Sequence, residues 1–266
     1  MNRRVIGALL RKELLDVSRN RGALLPVVLV TVIALVVPFV VTIVVPSAIG
    51  QRLSDDADLV RASLIIDPGG TLTLDGRVQL FFYQQFLLLF LLTPTTGAMA
   101  MAAHSVVGEK LARTLEPLLA TPIATFELLL AKVLGALVPT LVIAMAGLSL
   151  YMAGVALFAM PGVINALANM RTAVLVLLVG PASALLSLQA AILISSRVND
   201  ARTAQQFGVF VVIPVTVLLV AQFSGALWLS AAALATIALG MGIVWLILAI
   251  ISVRVFDRET ILTRWR

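Results

Sequence analysis

The chain has 266 residues, of which 61% are hydrophobic and 12% charged, with a mean hydropathy of +1.10. An average soluble domain carries roughly 45–50% apolar and about 25% charged residues, so this composition excludes a water-soluble globule and points to an integral membrane protein. The net charge of +6 comes from basic residues scattered along membrane edges with no groove-sized patch, which argues against nucleic acid as a partner.

The leader, residues 1–21, places Ile6, Leu9, Leu10, Leu14 and Val17 on one helical arc and Arg4, Arg11, Lys12 and Arg19 towards the other. That is the pattern of a helix lying flat in the membrane interface. Glu13 projects within the apolar arc, where an unpaired carboxylate is costly. Two readings fit it: an ion pair with Lys110 or Arg113, or a side chain that snorkels to the headgroups. The apolar run that follows is longer than the roughly 7–15 residues of a signal-peptide core, and no small-residue cleavage pattern follows it, so it reads as a retained span.

A spanning helix needs about 20 mostly apolar residues. Six such runs occur, at 23–46, 79–103, 128–152, 172–194, 207–223 and 227–253. The stretch from 207 to 253 that holds the last two is broken only by Gln222, Ser224 and Gly225, and it is too long for one crossing, so it forms a hairpin of two helices. Fifteen lysines and arginines fall on the side that holds both termini and four on the other, where Asp55, Asp56, Asp58, Asp67 and Asp75 also lie. By the positive-inside rule both termini are cytoplasmic. The expected architecture is an all-α integral membrane protein of six transmembrane helices, preceded by an amphipathic interfacial leader helix. Its spanning domain covers 22–253, with an outer loop at 47–78, a cytoplasmic loop at 105–127 and a cytoplasmic tail at 254–266. The chain has no cysteine, so no disulfide staples the outer loop.

Within the second span, Thr93, Thr95 and Thr96 surround Pro94; in the fourth, Ser183, Ser187 and Gln189 follow Pro181. These groups either line a route for an amphiphilic cargo or serve as helix-packing glue. No Asp, Glu, Lys or Arg lies deep within a span, which disfavours a proton- or ion-coupled carrier. His104, the only histidine, stands at the cytoplasmic end of the second span and cannot form a metal centre alone. No aspartate pair, Ser/His set or H-E-x-x-H sequence suggests catalysis, and no G-x-x-x-x-G-K-[ST] loop cradles phosphate. We therefore expect no catalytic, metal-binding or cofactor-binding residue in this chain.

The cytoplasmic stretch GEKLARTLEPLLATPIATFELLLAK, Gly108 to Lys132, is broken by two prolines. Thr114 is a good N-cap, Glu116 and Pro117 fall in the first turn, and Pro122 ends the piece. The result is a helix of about two turns over 115–121, with Leu115, Leu118, Leu119 and Pro122 on one face. Isolated helices below about 12–15 residues are marginal in water, so this one must dock. Spacing leaves two acceptors open: the membrane surface and its spans, or a groove on a soluble partner.

This stretch resembles the cytoplasmic signature of the type-2 family of ABC transporter permeases: Glu109 and Lys110, then RTLEPLLATP from Arg113 to Pro122, then ELLLAK from Glu127 to Lys132. RKELLDVSRNRGALL from Arg11 to Leu25, SSRVNDARTAQQFG from Ser195 to Gly208 and VFDRETILTRW from Val255 to Trp265 are similar to the remaining cytoplasmic elements of that family. The resemblance implies the permease of an ATP-driven exporter in a bacterial or archaeal plasma membrane, with an ATP-independent carrier or scaffold as the alternative. It implies a coupling helix whose contacts with the ATPase come from Glu109, Arg113, Thr114, Leu115, Glu116, Leu118, Leu119, Thr121 and Pro122. It also implies two copies of a separate ABC ATP-binding subunit, which would hold the ATP and magnesium. A second permease copy would complete the assembly, as a homodimer or heterodimer.

Overall fold

The structure, a computed structural model, describes residues 3–64, 66, 71–111, 113–114, 125–197, 203, 206, 213, 217, 220–221 and 228–255. Every regular element among them is helical. A leader helix, Arg3–Arg19, precedes five helices long and apolar enough to cross a membrane: Arg21–Ile49, Leu74–Glu109, Phe126–Phe158, Met170–Ser195 and Ala231–Val253. We call them the first, second, third, fourth and last spans. The expected span at 207–223 falls largely outside the described residues, although 213, 217, 220 and 221 are helical. So does the tail from 256 onwards.

Several spans run longer than their apolar runs, because local caps set the ends. The Asn20 side chain accepts from Ala23 N at 3.2 Å and starts the first span at Arg21, and Gly50, at φ 68°, closes it where a side chain would be strained. Thr73 accepts from Gly76 N at 3.1 Å, so the second span starts at Leu74 and takes in Asp75 and Arg77. Asn169 accepts from Thr172 N at 2.9 Å and starts the fourth.

Three spans are irregular within. The first has a π turn at Val40–Val44, the second a 3-10 turn at Leu89–Leu91 and the fourth a π turn at Leu175–Val179. Pro94 and Pro181 each follow such a turn closely, as expected where a missing N–H opens the hydrogen-bond ladder.

Among the described residues, the buried apolar side chains form two clusters. One, nearer the leader helix, is built largely from small or flexible residues, among them Ala23, Ala98, Met101, Ala102, Ala136, Ala184 and Ala191. The other, at the opposite end, is built around Leu80, Tyr83, Leu87, Phe90, Tyr151 and Leu175. Along the third span, Gly135, Gly147 and Gly154 admit Glu13, Thr31 and Phe39 so closely that an added Cβ would come within 2.5, 2.5 and 2.6 Å of them. Small residues of this kind let helices approach in a bilayer, where packing replaces the hydrophobic drive.

Candidate functional site: a buried ion cluster

The leader helix, the last turn of the second span and the first turns of the third converge on four charged side chains. Glu13, Glu109 and Lys132 are 4%, 7% and 2% exposed, and Lys12 closes the cluster from its half-exposed side. Lys132 Nζ lies 2.7 Å from Glu109 Oε2 and donates to Glu13 Oε1 at 3.1 Å and to Ser105 Oγ at 3.0 Å. Ser105 in turn donates to Glu13 Oε2 at 2.7 Å. Lys12 bonds Glu109 Oε1 and stands 3.5 Å from both Glu13 and Asp16. Two cations thus meet two buried carboxylates, which is the condition for burying charge without a large penalty.

Burial alone would raise the Glu13 carboxyl, but the Lys132 charge, the Ser105 hydroxyl and Lys12 outweigh it and hold that group below its usual range. Burial opposes the charge on Lys12 too; the hydrogen bond and charge of Glu109, with Glu13 and Asp16, more than compensate and raise it. Both groups are therefore locked in their charged forms near neutral pH.

The local sequence explains the geometry. Lys132, Gly135 and Ala136 share a face of the third span by their i, i+3, i+4 spacing. Gly135 has no Cβ, so Glu13 can slide past it and reach Lys132 one turn away. Beside the cluster opens a cavity of about 370 Å³, lined by Asn20, Met101, His104, Gly108 and Thr114 besides the charged groups.

Glu109 and Lys132 stand on the two legs of the loop at 105–127. The second span ends just beyond Glu109: Arg113 adopts φ 54°, the left-handed conformation that stops a helix, and Thr114 N donates back to Glu109 O at 3.0 Å. Of the loop residues singled out in the sequence, Glu109, Arg113 and Thr114 are described. Leu115, Glu116, Leu118, Leu119, Thr121 and Pro122, and with them the expected two-turn helix, lie outside the described residues.

The expected partnership of Glu13 with Arg113 is replaced by one with Lys132. Arg113 lies past the end of its helix and is exposed, whereas Lys132 is carried on the span that packs directly against the leader. The side chain of Lys110, the other expected partner, is not among those described. The sequence signal for Lys132 was a lysine four residues into an apolar run; read as an edge charge, it counted only with the loop.

The hydroxyl residues of the second and fourth spans form a seam. Thr93, Thr95, Ser183, Ser187 and Gln189 are buried, and Thr96 is partly so. Thr95 bonds the Leu91 carbonyl, and its hydroxyl lies 3.3 Å from that of Ser183. Thr96 donates to Leu92 O at 2.5 Å, Ser183 to Gly180 O and Ser187 to Ser183 O at 2.7 Å each, and Gln189 Nε2 to Ser252 Oγ of the last span at 2.5 Å. Hydroxyls bonded to their own helix and to the neighbouring one pack helices together. The described cavities have other linings.

A second charged feature went unread in the sequence. Arg171, at the start of the fourth span, is buried; its Nε donates to Leu229 O at 2.9 Å, a terminal nitrogen donates to Gln84 Oε1 at 3.2 Å, and its guanidinium carbon sits 4.1 Å from the Trp228 ring centroid. It ties the second and fourth spans to the segment that leads into the last span, at the end away from the leader. Glutamine at an otherwise apolar span position was the available hint.

The sequence profile of the ABC-2 family transporter proteins matches residues 7–258, nearly the whole chain. No curated protein matches it. The match takes in the leader from Gly7 onwards, the ion cluster, both legs of the loop and every described span. The chain belongs to the ABC-2 transporter family, as a multi-pass membrane permease subunit that is not itself an ATPase.

Proposed function

We propose that this chain is the membrane half of an ATP-driven exporter, and that the loop at 105–127 carries the coupling helix by which an ABC ATP-binding partner moves the spans. The supporting observation is the ion cluster, which joins the leader helix to both legs of that loop through Glu13, Glu109 and Lys132. A loop meant only to link two spans has no need of a buried charge on each leg. In this reading six spans cross the membrane with both termini in the cytoplasm, and the charged end faces the ATPase.

Two ATPase copies close on ATP and magnesium. Leu115, Leu118 and Leu119 carry the motion into the loop, and the cluster passes it to the leader, second and third helices as one body. A second permease copy, identical or related, supplies the facing half. The cargo is hydrophobic or amphiphilic, because no Asp, Glu, Lys or Arg lies deep within a span to meet a charged one.

The test is co-expression with an ABC ATP-binding subunit from the same genome, comparing wild type with Leu118→Asp/Leu119→Asp. The proposal expects the wild-type chain to co-purify with that ATPase and the double variant to lose the complex or uncouple its hydrolysis. If no ATPase associates and the variant behaves as wild type, the chain is an ATP-independent carrier or scaffold.

A further inference from the structure

A crevice of about 120 Å³ opens between the second, third and fourth spans. Its lining side chains are all apolar, with Leu91 and Pro94 from the second span, Ala144 and Leu148 from the third, and Leu175 and Pro181 from the fourth. The irregular backbone shapes it: the 3-10 turn at Leu89–Leu91 forms one wall and the π turn at Leu175–Val179 the other. Two proline-associated distortions on facing helices hold apart segments that regular helices would bring together.

Three observations identify what fills it. Leu91, Ala144 and Pro181 stand about half-way along their spans, so the crevice lies at hydrocarbon depth. Its rim carries Leu177 and Met145, which are 62% and 45% exposed and face away from the bundle, so it opens towards lipid. Its lining side chains carry no oxygen or nitrogen to hold water; a buried water needs about two to four polar partners, and apolar cavities on the order of 150 Å³ stay dry and accept hydrocarbon ligands. We infer that this crevice is an intramembrane binding site for an acyl chain of a bilayer phospholipid, inserted sideways between the three spans. The site rests only on the chain spanning a membrane, and it stands whether or not an ATPase partner associates.

The test uses the full chain in phosphatidylcholine vesicles doped with a phosphatidylcholine that carries a diazirine at mid-chain. After irradiation, adducts are mapped by mass spectrometry. Adducts are expected at Leu91, Pro94 and Ala144 as well as at the outward-facing Val142 and Leu150. Ala144→Phe, which fills the crevice, removes the adducts at Leu91 and Pro94 and leaves those at Val142 and Leu150, whose persistence reports an intact fold. Ala144→Leu serves the same purpose if phenylalanine is not tolerated, and Ala146→Phe, at an exposed position outside the crevice, changes nothing. Adducts confined to the outward faces, or adducts at Leu91 and Pro94 that survive both filling variants, overturn the inference.

Discussion

At the end that carries the leader helix, the spans meet through alanines, glycines and buried opposite charges; at the far end they meet through the rings of Phe39, Tyr83, Phe90 and Tyr151 and, separately, through the buried Arg171. The ring centroids of Phe39, Tyr83, Phe90 and Tyr151 lie 5.1–6.1 Å apart in tilted and edge-on pairs, with Tyr151 donating to Tyr83 O at 2.8 Å. The contrast is one of tolerance. A buried ion pair is strongly directional and severe to break, whereas aromatic pairs have several acceptable arrangements, each worth only about 0.5–1.5 kcal/mol beyond area burial. The π turns of the first and fourth spans fall in this aromatic half as well. The charged end is thus suited to move as a block, and the aromatic end to absorb the bending.

The sharpest way to break this contrast is Lys132→Met. It leaves two buried carboxylates with only the half-exposed Lys12, and loss of one partner from a buried ion set costs about 3–5 kcal/mol. Thermal unfolding in detergent should show the largest loss of any single substitution here. The triple variant Glu13→Leu/Glu109→Leu/Lys132→Leu should lose less than Lys132→Met alone, since removing all three charges leaves none buried unpaired; a triple variant worse than the single one would mean that shape, not charge, holds this end.

At the far end, Arg171→Lys keeps the charge but cannot reproduce the planar fork that reaches both Leu229 O and Gln84. One charge-assisted bond lost corresponds to about 1.5–3 kcal/mol, read by the same unfolding assay. Gly135→Ala pushes a methyl against Glu13 and should cost about 1–3 kcal/mol as overpacking. Gly108→Ala, where a Cβ meets nothing within 4 Å, should instead gain about 0.5–1 kcal/mol from helix propensity. Tyr151→Phe deletes one neutral hydrogen bond and should cost about 0.5–1.5 kcal/mol.

The smallest effect is that of pH. Because the Glu13 carboxyl is held below its ordinary value of 4.5, its contribution is complete above that pH and is lost as pH falls through its lowered folded value. Lys12, raised above 10.5, contributes fully below that pH and is lost as pH rises through its folded value. With respect to these two groups, unfolding temperature should be flat between pH 4.5 and 10.5 and fall on either side.

The spans were legible because hydropathy summed over about 20 residues needs no knowledge of partners. Their ends were less so: Thr73 and Asn169 are cap-forming residue types, but each begins its helix several residues before the apolar run does or next to a charge. Glu13 was recognisable as an anomaly on an apolar arc. Its partner Lys132 lies 119 positions away, and no local rule spans that distance. The π and 3-10 turns were foreshadowed only by nearby prolines, Pro38 and Pro46 in the first span, Pro94 in the second and Pro181 in the fourth, which mark a weakness in the ladder without saying how the backbone resolves it.

The claim that the charged end moves as one body is tested most directly by a distance. The chain has no cysteine to remove, so spin labels can be placed at Ser18→Cys on the leader and Phe126→Cys on the third span, both exposed positions. Pulsed electron resonance on the complex with its ATPase would then compare the nucleotide-free and ATP-trapped states. The account predicts the same narrow distribution in both, with Lys132→Met broadening it. A leader that shifts against the third span when ATP is trapped would contradict it.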